Sequence, residues 1–247
     1  MKGELIPFAD EGRQGWIYLP QEAKETACPA VYRFSWQIKP EDIVKLMEGM
    51  EPLFGVQCRP FALVDVPLQD WNADCTPWPA PAPKAGQPAF LGKADFMLAH
   101  LTQKLKPMLE QNFPLLPQPQ HTAVMGYSLG GLAALYGFLT QANFGMAASL
   151  SGSLWYNGWL DYLQHVNAKD ASGRVYLSLG KKEAKSRNPF FAQVGENTRR
   201  TAQLLAQQLG EHNVTLEWNE GGHGFDELGR YHRALLWLMR ISIREPQ

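Results

Sequence analysis

Ten residues, Thr122-Ala123-Val124-Met125-Gly126-Tyr127-Ser128-Leu129-Gly130-Gly131, limit what this 247-residue chain can fold into more than any other stretch. Residues 122–127 are β-branched and apolar and read as a buried strand. Residues 129–140 are rich in Ala and Leu and read as a helix. Ser128 alone separates the two, with a glycine two positions to either side. A strand that becomes a helix within one residue forces an unusual backbone at that residue. Side chains at 126 and 130 would then collide with neighbouring backbone, which explains the glycines. Such a turn lifts the Ser128 hydroxyl out of the sheet. It also sets the Leu129 N–H in the first turn of a helix, where it can donate to a developing negative charge.

The rest of the chain alternates in the same way. Residues 14–19, 30–34, 60–66, 147–150, 174–179 and 214–218 read as strands. Residues 40–54, 93–112, 155–166, 189–209 and 228–241 read as helices, with Pro107 expected to kink or divide the second. Strands alternating with helices imply an α/β fold: a mostly parallel central sheet with helices on both faces. No repeat or linker divides the sequence, so one domain over residues 1–247 is expected. The run Asp74-Cys75-Thr76-Pro77-Trp78-Pro79-Ala80-Pro81-Ala82-Pro83 is neither helix interior nor central strand, because each proline fixes φ and removes a donor.

Composition narrows the function classes. Lys and Arg total 23 against 24 Asp and Glu, a formal charge of −1, which speaks against a nucleic-acid or anionic-surface binder. Apolar residues make up 45% of the chain, too many for a disordered one. No uncharged apolar run reaches the length of a membrane span, and the first residues lack the apolar stretch of a secretory signal. Cys28, Cys58 and Cys75 are odd in number and lack metal-site spacing. Reduced thiols in a cytoplasmic protein without metal or organic cofactor are therefore expected.

A serine hydroxyl needs a base within hydrogen-bond reach, and the base needs an orienting acid. In the α/β hydrolases, whose nucleophile turn this Gly-x-Ser-x-Gly stretch resembles, they follow the serine in the order acid, then histidine. Of the six histidines, His100, His121 and His165 come too early. His212 reads as a solvated helix end and His232 as part of the last helix. His223 lies in Gly221-Gly222-His223-Gly224-Phe225, just past the strand 214–218, where parallel sheets place their chemistry. Glu183 follows the preceding strand, 174–179, at its C-terminal end. Asp170, Glu220 and Asp226 are its rivals, and a charge cluster with Lys181, Lys182, Lys185 and Arg187 is its alternative reading.

These segments together resemble the putative-esterase (esterase-D-like) branch of the α/β hydrolases. Pro29-Ala30-Val31-Tyr32 resembles that family's third strand and Asp74-Cys75-Thr76-Pro77 its Asp-x-Thr-Pro loop. Gly180-Lys181-Lys182-Glu183 resembles the acid loop and Gly222-His223 the histidine loop. Within the branch, residues 151–156, 180–197 and 213–222 are most similar to the siderophore trilactone (enterobactin and salmochelin) esterases. The resemblance implies a serine esterase with Ser128, His223 and Glu183 as its triad, acting through an acyl-enzyme. Some siderophore esterases are described as Ser–His dyads, which leaves the acid open. The resemblance places the second oxyanion donor after strand 30–34, where Ser35-Trp36 replaces the family's Asp-Gly or His-Gly. Trp36 is the expected donor beside Leu129.

Aromatic residues in the loops near these positions, Trp36, Trp78, Trp155 and Tyr156, together with Tyr127 and the bases up to Arg187, are the expected substrate contacts, suited to anionic catecholates. The substrate expected is a small-molecule ester. A general carboxylesterase or an S-formylglutathione-hydrolase-like thioesterase is the alternative within this chemistry. An acyltransferase or a non-catalytic binding protein of the same fold is the alternative outside it. Oligomeric state is not legible.

Overall fold

The computed structural model describes residues 1–84, 86–168 and 172–241. Among the described residues ten strands run in chain order: β1 (Glu4–Asp10), β2 (Arg13–Leu19), β3 (Ala30–Phe34), β4 (Ala62–Val66), β5 (Pro79–Ala80), β6 (Phe90–Leu91), β7 (Thr122–Tyr127), β8 (Met146–Leu150), β9 (Arg174–Gly180) and β10 (Val214–Asn219). The helices are α1 (Pro40–Met50), α2 (Trp71–Asp74), α3 (Ala94–His100), α4 (Lys106–Asn112), α5 (Leu129–Thr140), α6 (Trp159–His165), α7 (Pro189–Ala192), α8 (Val194–Leu209) and α9 (Glu227–Leu238).

Eight strands form one sheet in the order β1-β2-β4-β3-β7-β8-β9-β10. Every pairing from β4 to β10 is parallel, and only β2 runs against its neighbours. Side chains alternate between two cores, as a sheet covered on both sides requires. Ala30, Tyr32, Phe34 and Val124 pack under α3 to α6 and α8. Val31, Ala123 and Met125 pack under α1 and α9. This is the α/β-hydrolase arrangement, and α5, apolar all round and buried along nearly its whole length, is its central helix.

Strand β1 was not legible from its sequence. It carries Pro7 and is mostly half-exposed, features tolerated only at a sheet edge. A two-residue turn, Glu11 (φ 48°) and Gly12 (φ 80°), folds it onto β2. The helix expected over 93–112 runs without a break from Ala94 to Asn112, with a π turn at Leu101–Leu105 just before Pro107, so the wider turn accommodates the missing donor. The helix expected over 155–166 begins only at Trp159, because Gly158 takes the left-handed conformation (φ 79°) that stops a helix extending back through it. The proline-rich run continues into a short hairpin, β5 with β6.

Candidate active site

The strand-to-helix turn at Ser128, the elbow of this site, is strained as its sequence predicts. Ser128 sits at φ 57°, ψ −122°, a region that costs an L-residue free energy and persists only where surroundings enforce it. A Cβ at 126 would strike the backbone of Gly130, and one at 130 would lie 2.6 Å from Phe34 O. The Leu129 N–H, first in α5, has no carbonyl one turn back to receive it.

Three parallel strands deliver the chemistry to one end of the sheet. Ser128 follows β7, Glu183 follows β9 and His223 follows β10. His223 Nδ1 lies 2.8 Å from Glu183 Oε2. The other oxygen, Oε1, accepts from Gly180 N (2.7 Å) and Ser151 Oγ (2.6 Å). Burial raises the Glu183 pKa. The hydrogen bonds from His223, Ser151 and Gly180 outweigh it and hold the carboxyl below the usual range. Of its rivals, Glu220 is exposed and pairs with Lys181, while Asp226 pairs with Arg233. Asp170 lies outside the described residues. The Ser128 hydroxyl is 3.3 Å from Ser153 Oγ. Among the described residues it makes no hydrogen bond to His223, although both side chains line the same two cavities.

Ser128 and His223 stand between two cavities. The first, about 540 Å³, is walled by Pro88, Phe90, Trp155, Phe191 and Val194, and Lys182 is the one lysine or arginine on its lining among the described residues. Its roof comes from the proline-rich hairpin, where Pro83 O accepts from Asn188 Nδ2 at 3.3 Å. The second, about 650 Å³, is more polar and includes Trp36, Lys39, Lys45, Glu227 and Leu228. Trp71 borders both, stacked edge-on against Trp36 with ring centroids 5.6 Å apart. Trp71 was not singled out from sequence, although an aromatic just past β4 carries the same signal as Trp36.

The expected contact residues divide. Trp155 lines the first cavity, and Leu129 borders it. Trp36, 64% exposed, lies along the second, in a loop whose Ser35 Oγ reaches the buried Arg33–Asp65 ion pair. Tyr127 borders the second cavity, but its hydroxyl points away from solvent and donates to His223 O at 2.8 Å. Trp78 lines neither cavity. Its indole N–H is taken by Asn157 O and its ring packs on Tyr136, Tyr156 and Tyr162. Tyr156 is buried and donates to Trp78 O. Arg187 is exposed and lines neither cavity, and of the bases near it only Lys182 does.

No group of three His, Cys, Asp or Glu side chains suited to a metal occurs among the described residues. Among those residues no helix is long and apolar enough to cross a membrane. The three cysteines are buried and unpaired.

The family model described as "Putative esterase" matches residues 9–236. The uncharacterized protein YbbA of Bacillus subtilis (strain 168) is 26% identical over 245 residues, which cover 96% of this chain and 97% of that protein. The iron(III) enterobactin esterase of Escherichia coli (strain K12) is 42% identical over 146 residues, 55% of this chain. That match spans only a third of the enterobactin esterase, 33% of its length. An IroE-like serine hydrolase from Shewanella oneidensis shares the fold, with a TM-score of 0.75 over 96% of this chain and 80% of the other at 15% identity.

Proposed function

This chain belongs to the putative-esterase family, and from that premise we propose that it is a single-domain serine esterase whose triad is Ser128, His223 and Glu183. The carrying observation is the 2.8 Å bond from His223 Nδ1 to Glu183 Oε2, formed at the sheet end where the strained elbow presents Ser128. With Nδ1 so engaged, Nε2 is the nitrogen left to act as base.

Ser128 Oγ attacks the ester carbonyl as His223 Nε2 takes its proton. The carbonyl oxygen becomes an oxyanion, received by the Leu129 N–H and by the Trp36 N–H. Removing one such donor costs about 3–4 kcal/mol in other hydrolases. His223 then protonates the leaving alcohol. Water, activated by the same imidazole, releases the acid and restores Ser128. Glu183 holds the ring and stabilises its charged form. None of these steps calls for a metal or organic cofactor.

For the substrate, we propose an ester with aromatic acyl arms, of the catecholate siderophore trilactone class. Phe90, Trp155 and Phe191 offer ring faces and edges, and Lys182 offers charge to an anionic catecholate. The partial match to an enterobactin esterase supports the same class. The buried unpaired thiols suit a reducing compartment, so we place the protein in the cytoplasm.

Product masses from a panel of esters with and without added alcohol test the reading. Faster turnover of a catecholate trilactone than of short-chain esters, with free acid as product, supports it. The reverse ranking makes this a general carboxylesterase. Ester formed from the added alcohol makes it an acyltransferase.

A further inference from the structure

Arg230 lies on α9 with its side chain fully buried, and nothing in the mechanism above uses it. Burying a guanidinium costs several kcal/mol unless its donors are paired, and even a paired one adds little stability over a hydrophobic residue of the same size. A cation retained at such a place calls for a reason in geometry.

That geometry converges on the reaction centre. Nη1 donates to Tyr127 OH at 2.9 Å, to Ser151 Oγ, and to Glu183 Oε1 at 3.4 Å. Nη2 donates to Gly222 O at 3.1 Å. The four partners come from four separate segments. Tyr127 ends β7 and directly precedes the nucleophile. Ser151 follows β8, Glu183 follows β9, and Gly222 directly precedes His223. Tyr127 OH passes the chain of hydrogen bonds on to His223 O, and Ser151 Oγ to Glu183 Oε1. Ser151 is itself held at φ 43°, a second strained non-glycine residue beside Ser128. With Oε1 fixed by Ser151, Gly180 N and Arg230, the carboxylate cannot turn, and Oε2 stays on the imidazole.

We propose that Arg230 is a positioning residue: its guanidinium fork locks the Glu183 carboxylate and the His223 loop against the strand that carries Ser128. The proposal rests on the triad reading above. A lysine is a point charge and cannot span Gly222 O and Glu183 at once, so the planar fork is required as well as the charge.

The test is steady-state kinetics on a soluble aryl ester for Arg230→Met and Arg230→Lys, each alone and combined with Glu183→Gln, with near-ultraviolet circular dichroism to verify folding. Misplacing a catalytic group by about 1 Å costs about 100-fold. Arg230→Met is therefore expected to lower kcat about 100-fold with KM within about threefold, and Arg230→Lys to recover part of the loss. In the Glu183→Gln background the further loss from Arg230→Met should shrink to about threefold or less, since coupled residues are not additive. A kcat at the wild-type level in Arg230→Met, or an equal loss with and without Glu183, overturns the proposal. If Arg230→Met does not fold, Arg230→Lys decides: a kcat about tenfold down at unchanged KM supports the fork, and a wild-type kcat refutes it. If Glu183→Gln alone leaves kcat unchanged, the triad reading is at fault and the proposal falls with it. If Glu183→Gln is slow while the Arg230 variants are normal, only the role of Arg230 is refuted.

Discussion

His223 Nδ1 and Glu183 Oε2 lie 2.8 Å apart, although the imidazole is half-exposed and the carboxylate is 6% exposed. The carboxylate is thus fixed inside the protein while the imidazole opens onto the two cavities. Glu183→Gln keeps the shape but removes the charge that favours the imidazolium. It is expected to lower kcat by about 10²–10⁴-fold with little change in KM. Stopped-flow assay of an activated ester measures this. A loss below tenfold would make the site a Ser–His dyad.

The same carboxylate links stability to pH. Its folded pKa is depressed, so it stabilises the native state at pH values above the ordinary glutamate range, about 4.3. The contribution fades as pH falls through the folded value, where both states bind the proton. Urea unfolding of wild type and Glu183→Gln should therefore diverge most above about pH 5 and draw together on acidification. A gap that widens toward low pH contradicts the depressed value.

Gly130→Ala places a methyl group 2.6 Å from Phe34 O and 3.0 Å from the Trp71 ring. A backbone oxygen in β3 cannot yield without disturbing the sheet. A destabilisation of about 2 kcal/mol or more is expected, along with lost activity. Thermal unfolding decides, and an unchanged Tm would show that the elbow is looser than the contact implies.

Thiol reagents should leave activity intact. Burial pushes the Cys28 and Cys58 thiols up to about 11 and Cys75 well above its ordinary value, and none of the three borders either cavity. Iodoacetamide at neutral pH is expected to cause no loss of turnover over an hour. Rapid inactivation would place a reactive thiol at the site.

How much of this was legible in sequence follows from how local each signal is. The elbow, Glu183 and His223 sit at strand ends whose periodicity is local, so their positions could be read from neighbours. Trp78 could not be placed that way. Whether a loop aromatic faces a cavity depends on Tyr136, Tyr156 and Tyr162, far along the chain, and they draw it inward. Strand β1 escaped because an edge strand with a proline lacks both strong alternation and burial. Arg230 escaped for a third reason. A lone arginine in an amphipathic helix reads as a surface charge, and only the meeting of Tyr127, Ser151, Glu183 and Gly222 makes its site polar enough to bury it.

The most direct measurement is covalent labelling with a fluorophosphonate, followed by peptide mass mapping. One adduct on Ser128 is expected, formed far more slowly in His223→Ala, because the probe reports a serine activated by its base. No adduct, or an adduct on Ser153 or any other residue, would contradict Ser128 as the nucleophile of this esterase.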